Sequence, residues 1–98
     1  MTTDRETIEY YERNARQYAR EISPTPPAPR ADALRRLVTC LPSGATILEV
    51  GSGTGRDADY VEALGAHVRR TDLAMAFIEL QAERGKRAEP LDLLTDEL

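Results

Sequence analysis

The chain has 98 residues, 41% hydrophobic and 31% charged, close to the lower end of the roughly 100–200 residues of an ordinary single domain. Seventeen acidic against thirteen basic side chains give a net charge of −4, the wrong sign for holding a phosphate backbone through a general basic field, so no nucleic-acid partner is expected. No apolar run approaches the ~20 residues of a membrane helix, and the single cysteine, Cys40, excludes an internal disulfide or a cysteine-based zinc site, so no metal is expected either.

No charged-then-apolar leader precedes the first helical pattern, which makes a reducing, cytoplasmic compartment the expectation. From Thr3 to Ile22 the residues Ile8, Tyr11, Ala15, Tyr18 and Ile22 recur at steps of three and four, predicting a helix with one apolar stripe. Thr3 with Glu6 has the form of a capping box at its start. Four prolines lie between Pro24 and Pro29; they remove backbone donors and predict an extended spacer. The chain therefore divides into residues 1–29, an N-terminal helix with its proline-rich linker, and residues 30–98, a core.

Arg30 to Leu41 predicts a second helix through Leu34, Leu37, Val38 and Leu41, closed by Pro42, Ser43 and Gly44. Cys40 on it reads as a small buried apolar residue. Ala45 to Val50 suits a short strand buried on both faces. Asp57 to Leu64 has helical spacing, with Gly65 as a left-handed cap. His67 to Asp72 is a second strand in which at least one of Arg69 and Arg70 must snorkel. Leu73 to Arg84 is a helix carrying Phe77, Ile78 and Leu80, followed by Gly85. Ala88 to Leu93 forms a third strand, and Pro90 places it at a sheet edge. This order predicts an α/β domain with a parallel sheet and right-handed crossovers. The C-terminal Thr95-Asp96-Glu97-Leu98 has no expected retrieval role, because such a tail is meaningless without a secretory signal.

The informative segment is Glu49-Val50-Gly51-Ser52-Gly53-Thr54-Gly55, a strand running through three alternating glycines into a helix. Glycines there allow a sharp turn with positive φ and let a ligand touch bare backbone. The helix N-terminus behind them offers N–H groups to an anionic group, so a nucleotide-like ligand is expected at the strand's C-terminal end. Asp72 follows twenty-one positions after Gly51, at the end of the second strand, where a carboxylate can accept from both hydroxyls of a ribose. A dinucleotide fingerprint needs a third glycine where this chain has Arg56, which disfavours a nicotinamide-dependent oxidoreductase. Arg56 and Asp57 read first as residues that open the helix, where an acid suits the macrodipole. His67 begins a strand and has no paired acid or cysteine nearby in sequence.

Gly51, Gly53 and Gly55, with Glu49 two residues ahead, resemble motif I of the class I S-adenosylmethionine-dependent methyltransferases. The resemblance covers nearly the whole chain but only the first half of that fold. It implies an incomplete Rossmann-like methyltransferase fold: three parallel strands in the order 3-2-1 with flanking helices, preceded by an N-terminal helix. By the same resemblance the turn residues Glu49, Gly51, Ser52, Gly53 and Gly55 lie against the amino-acid part of S-adenosylmethionine, and Asp72 with Leu73 meets the ribose. Tyr11 and Tyr18 look like the helix by which many small-molecule methyltransferases cover the cofactor, though a packing stripe reads as well. Asp92 and Leu93 resemble the third-strand end that meets the adenine, or belong to a solvated loop.

The implied activity is methyl transfer to a small-molecule acceptor, with no catalytic base identifiable among these residues. The first strand would be an apolar sheet edge, so a second polypeptide completing the sheet beside it is expected, in a split or fragmentary enzyme. The alternative is a noncatalytic binding or regulatory subunit that stabilises a partner methyltransferase.

Overall fold

A computed structural model describes residues 2–96, with side chains from residue 5 onward. The Thr3 side chain of the expected capping box and the tail residues Glu97 and Leu98 lie outside what is described. Four helices and three strands follow in the order α1 (Thr2–Glu21), α2 (Ala28–Cys40), β1 (Thr46–Val50), α3 (Arg56–Ala63), β2 (His67–Asp72), α4 (Met75–Glu83) and β3 (Ala88–Pro90). The strands make one parallel sheet with β2 between β1 and β3. Thr46 pairs with His67 and Val50 with Thr71; Arg70 pairs with Ala88.

Both crossover helices pack against the sheet, α3 on β2 and α4 on β2 and β3. Right-handed crossovers stepping in one direction put them on the same face. Ala58 and Val61 of α3 and Phe77, Ile78 and Gln81 of α4 are buried. Asp57 and Asp59 in the first turn of α3 suit its positive end, and Gly65 at φ +102° follows its C-terminus.

β1 corrects the expectation of a strand buried on both faces. Its residues alternate, with Thr46, Leu48 and Val50 exposed and Ile47 and Glu49 half-buried. Among the described residues no helix packs on β1 to the extent that α3 and α4 pack on β2, and β1 pairs with β2 alone. Of the two arginines in β2, Arg69 reaches solvent and Glu89 while Arg70 is buried.

The third strand is shorter than expected. It ends at Pro90, and Leu91 to Asp96 form a turn closed by Asp92 and Asp96. Proline donates no ladder hydrogen bond, and the next N–H, that of Leu91, supplies the last bond to β2 at Asp72 O (3.2 Å).

The proline-rich linker is also shorter than an extended spacer over residues 23–29. Helix α2 already begins at Ala28, with Pro29 in its first turn, where a missing N–H costs nothing. Pro26 is buried. Cys40 is exposed, not buried: it ends α2, whose main packing partner is α3 and whose buried residue is Ala31.

Helix α1 lies along α4. Ala15 is buried against Ala74 and Phe77, the rings of Tyr11 and Tyr18 lie 5.3 and 5.9 Å from that of Phe77, and Glu12 accepts the N–H of Ala76 (3.2 Å). Arg16 forks onto Glu83 at the other end of the contact. That pair is solvent-exposed, so its contribution is small and screened by salt.

Candidate functional site

The β1–α3 turn is built as its glycines require. Gly51, Gly53 and Gly55 all have positive φ, at +72°, +59° and +86°. Strand pairing continues into the turn, because the N–H of Ser52 donates to Thr71 O (2.8 Å) and the Thr71 hydroxyl donates to Glu49 O (2.6 Å). The N–H of Gly53 donates to the Asp72 carboxylate (2.8 Å), and the other oxygen of that carboxylate accepts from Ala74 (2.9 Å). One acid thus ties the end of β1 to the start of α4.

A polar network that sequence reasoning missed holds the turn from the α4 side. The fully buried Gln81 donates from Nε2 to Ser52 Oγ (2.9 Å) and Gly53 O (2.8 Å) and accepts from Arg70 (2.9 Å). Arg70 also reaches Asp59 (2.7 Å) and Glu62. Burial works against its charge, and the bonds to Glu62 and Asp59 outweigh that cost, leaving its pKa raised. Arg84 donates to Thr54 O (2.7 Å) and Asp59 (3.0 Å). No spacing rule marks these residues: they come from α3, β2 and α4 and meet only through the crossovers.

Glu49 points to the helix-covered face. Its Oε1 is buried with no hydrogen-bond partner among the described residues. Burial pushes the carboxyl above its ordinary range, reinforced by Asp57 and Asp59 and opposed by the nearby Ser52 and Arg70.

Two clefts open beside the turn. One, of about 210 Å³, is lined by Gly51 to Thr54 together with Tyr18, Ile22, Arg30, Arg56 and Asp57. It falls below the roughly 300 Å³ at which small-molecule sites begin, so it has room for one end of a ligand. A larger one, of about 340 Å³, runs beneath the α1–α2 linker between Ile22, Pro24, Leu80 and Arg84 and touches neither Gly51 nor Gly53. In the first, Arg30 Nη1 lies 3.1 Å from Asp57 Oδ2 and Arg56 Nε lies 3.2 Å from Asp57 Oδ1.

Against this geometry, neither a scan of protein-family models nor a search of curated proteins matches the chain.

The residues expected at a ligand site therefore stand on their placement alone. Gly51, Ser52, Gly53 and Tyr18 line one cleft. Gly55 lies beneath the turn against Gln81, Arg70 and Arg84, Asp72 is tied to the turn through the N–H of Gly53, and Glu49 keeps a buried Oε1 without a partner among the described residues. Tyr11 packs on Phe77 and is not among the cleft residues; Tyr18 does both. Leu73 and Leu93 are exposed. Asp92 accepts the N–H of Leu94 (2.9 Å) within its own turn, the geometry of a loop acid. Among the described residues, no cluster of three or more His, Cys, Asp or Glu could hold a metal, and no helix is long and apolar enough to cross a membrane.

Proposed function

We propose that this chain is the cofactor-binding half of an S-adenosylmethionine-dependent methyltransferase acting on a small-molecule acceptor in the cytoplasm. The observation that carries the reading is the 2.8 Å hydrogen bond between Gly53 N–H and the Asp72 carboxylate. It brings a glycine turn and an acid together at the C-terminal ends of adjacent parallel strands, where open α/β sheets bind nucleotides.

The residues present fit the group. A β-carbon on Gly51 or Gly53 would meet nothing within 4 Å, so bare backbone stands open to a ligand. Glu49 Oε1, buried without a hydrogen-bond partner among the described residues, is free to accept from a ligand donor. Asp72 spends one lone pair of each oxygen on backbone and keeps others for hydroxyls. Tyr18 of α1 and Ile22, which follows that helix, line the cleft. When bound, S-adenosylmethionine supplies a methyl group on a sulfonium. The chain's own residues position it and exclude water.

The proposal includes a further polypeptide segment beside β1, in this chain's continuation or in a second chain. Leu48 and Val50 stay exposed on a strand with one free edge, and parallel sheets are ordinarily covered on both faces. That same edge favours a second reading, a noncatalytic subunit that stabilises a partner methyltransferase. Calorimetric titration with S-adenosylmethionine, S-adenosylhomocysteine and NAD tests the first. Binding of the two sulfur ligands, lost in Asp72→Ala, is expected; binding of NAD instead overturns it. Retained partner binding with no ligand binding supports the second reading.

A further inference from the structure

The larger cleft, of about 340 Å³, touches neither Gly51 nor Gly53 and has no part in the function proposed above. It exceeds the roughly 300 Å³ at which small-molecule sites begin. Ala19 near the end of α1, Ile22 and Pro24 between α1 and α2, and Leu80 of α4 give it an apolar wall. The charged residues around that wall are Arg56, Asp59, Glu83 and Arg84.

Three of these four charges are already engaged within the protein. Asp59 accepts from Arg70 Nη2 (2.7 Å) and Arg84 Nη1 (3.0 Å), and Arg84 also donates to Thr54 O (2.7 Å). Both oxygens of Glu83 accept from Arg16. Arg56 differs. Among the described residues its side chain bonds only through Nε, to Asp57 Oδ1 (3.2 Å), while the other oxygen of Asp57 takes Arg30 Nη1 (3.1 Å). Both terminal nitrogens of Arg56 therefore keep their donors, although only 21% of the side chain is exposed. They are reachable: among the described residues, the side-chain atom that is sealed from solvent without a partner is Glu49 Oε1.

We propose that this cleft binds a small monocarboxylic acid, its carboxylate on the terminal nitrogens of Arg56 and its hydrocarbon part against Ala19, Ile22, Pro24 and Leu80. The planar fork of a guanidinium meets a carboxylate through two parallel hydrogen bonds, and the apolar wall favours an anion with an apolar body over a bare inorganic one. Since the wall joins α1 to α4, an occupant also strengthens the docking of α1 and stabilises the fold by mass action.

The test titrates the whole chain with hexanoate, hexanol, hexylamine and inorganic phosphate, followed by amide NMR shifts and by melting temperature. Hexanoate is expected to shift the amides of Ala19, Ile22 and Leu80 saturably, to raise the melting temperature, and to bind about tenfold more tightly than hexanol, the scale of a hydrogen bond to a charged group. Arg56→Gln should bring hexanoate down to the level of hexanol and leave hexanol as it was. Ala19→Phe, which fills the cleft from α1, should abolish binding of both; if it also undocks α1, the Arg56→Gln comparison decides alone. The inference falls if the unsubstituted chain binds hexanoate no better than hexanol or hexylamine, or if phosphate binds as tightly as hexanoate. It falls equally if Arg56→Gln weakens hexanoate and hexanol alike, or if the shifts map away from the cleft. None of these results bears on the proposed function, whose own ligands are titrated separately.

Discussion

Gly55 and Gln81 stand so close that a β-carbon on the glycine would lie 2.6 Å from Gln81 Oε1, with Arg70 Nη1 and Arg84 Nη2 at 2.7 and 2.9 Å. The third glycine thus serves the turn's foundation, while Gly51 and Gly53 face open space. Gly55→Ala combines a positive φ with a clash against buried, hydrogen-bonded groups and is expected to cost about 2–4 kcal/mol. Gly51→Ala, with only its φ against it, should cost about 1–2 kcal/mol. Denaturant melts of the two variants measure the difference, and equal losses would contradict the packing described.

Stability should depend on pH through Glu49. Because burial raises its carboxyl above the ordinary value near 4.5, the folded chain holds that proton more tightly than the unfolded chain. Its contribution is present below pH 4.5 and is lost as the pH rises through the higher folded value. Glu49→Gln removes the ionisation, so the variant is expected to gain stability on the wild type as the pH rises above 4.5. Melting temperatures of both proteins between pH 4 and 8 provide the check; parallel curves would show that Glu49 is not desolvated.

The docking of α1 depends on Phe77, which is buried and meets both Tyr11 and Tyr18. Phe77→Ala removes the ring at the centre of that contact and is expected to cost about 3 kcal/mol or more. Since α1 contacts the core chiefly through α4, its loosening should expose the linker at residues 23–27. Limited proteolysis would then cut the variant there faster than the wild type.

An uncovered strand edge with apolar side chains is a template for pairing with another chain. Leu48 is more than a third exposed on β1, so Leu48→Lys should alter the chain's own stability by no more than about 0.5 kcal/mol while suppressing concentration-dependent association. Light scattering across a concentration series distinguishes the two proteins, and identical association would place the contact elsewhere.

Periodicity and turn chemistry sufficed, to within two residues at each end, for the helices expected over Thr3–Ile22 and Arg30–Leu41, for the strand His67–Asp72, and for the positive φ of all three turn glycines. These features depend on nearest neighbours along the chain, where steric rules act without knowledge of the fold. The same local signals misjudged Cys40, β1 and the end of β3, because burial depends on what lies across from a residue. An apolar strand reads as covered whether or not a second layer of helices reaches it.

Only tertiary structure decided what supports the turn and what charge lies beside it. Gln81, Arg70 and Arg84 are ordinary residues of amphipathic segments until the two crossovers stack α3 and α4 over β2 and aim them at the glycines. Arg30 and Asp57 are twenty-seven positions apart, and no local pattern links them. Their meeting follows from α2 packing on α3, and with it the second hydrogen bond on the Asp57 carboxylate.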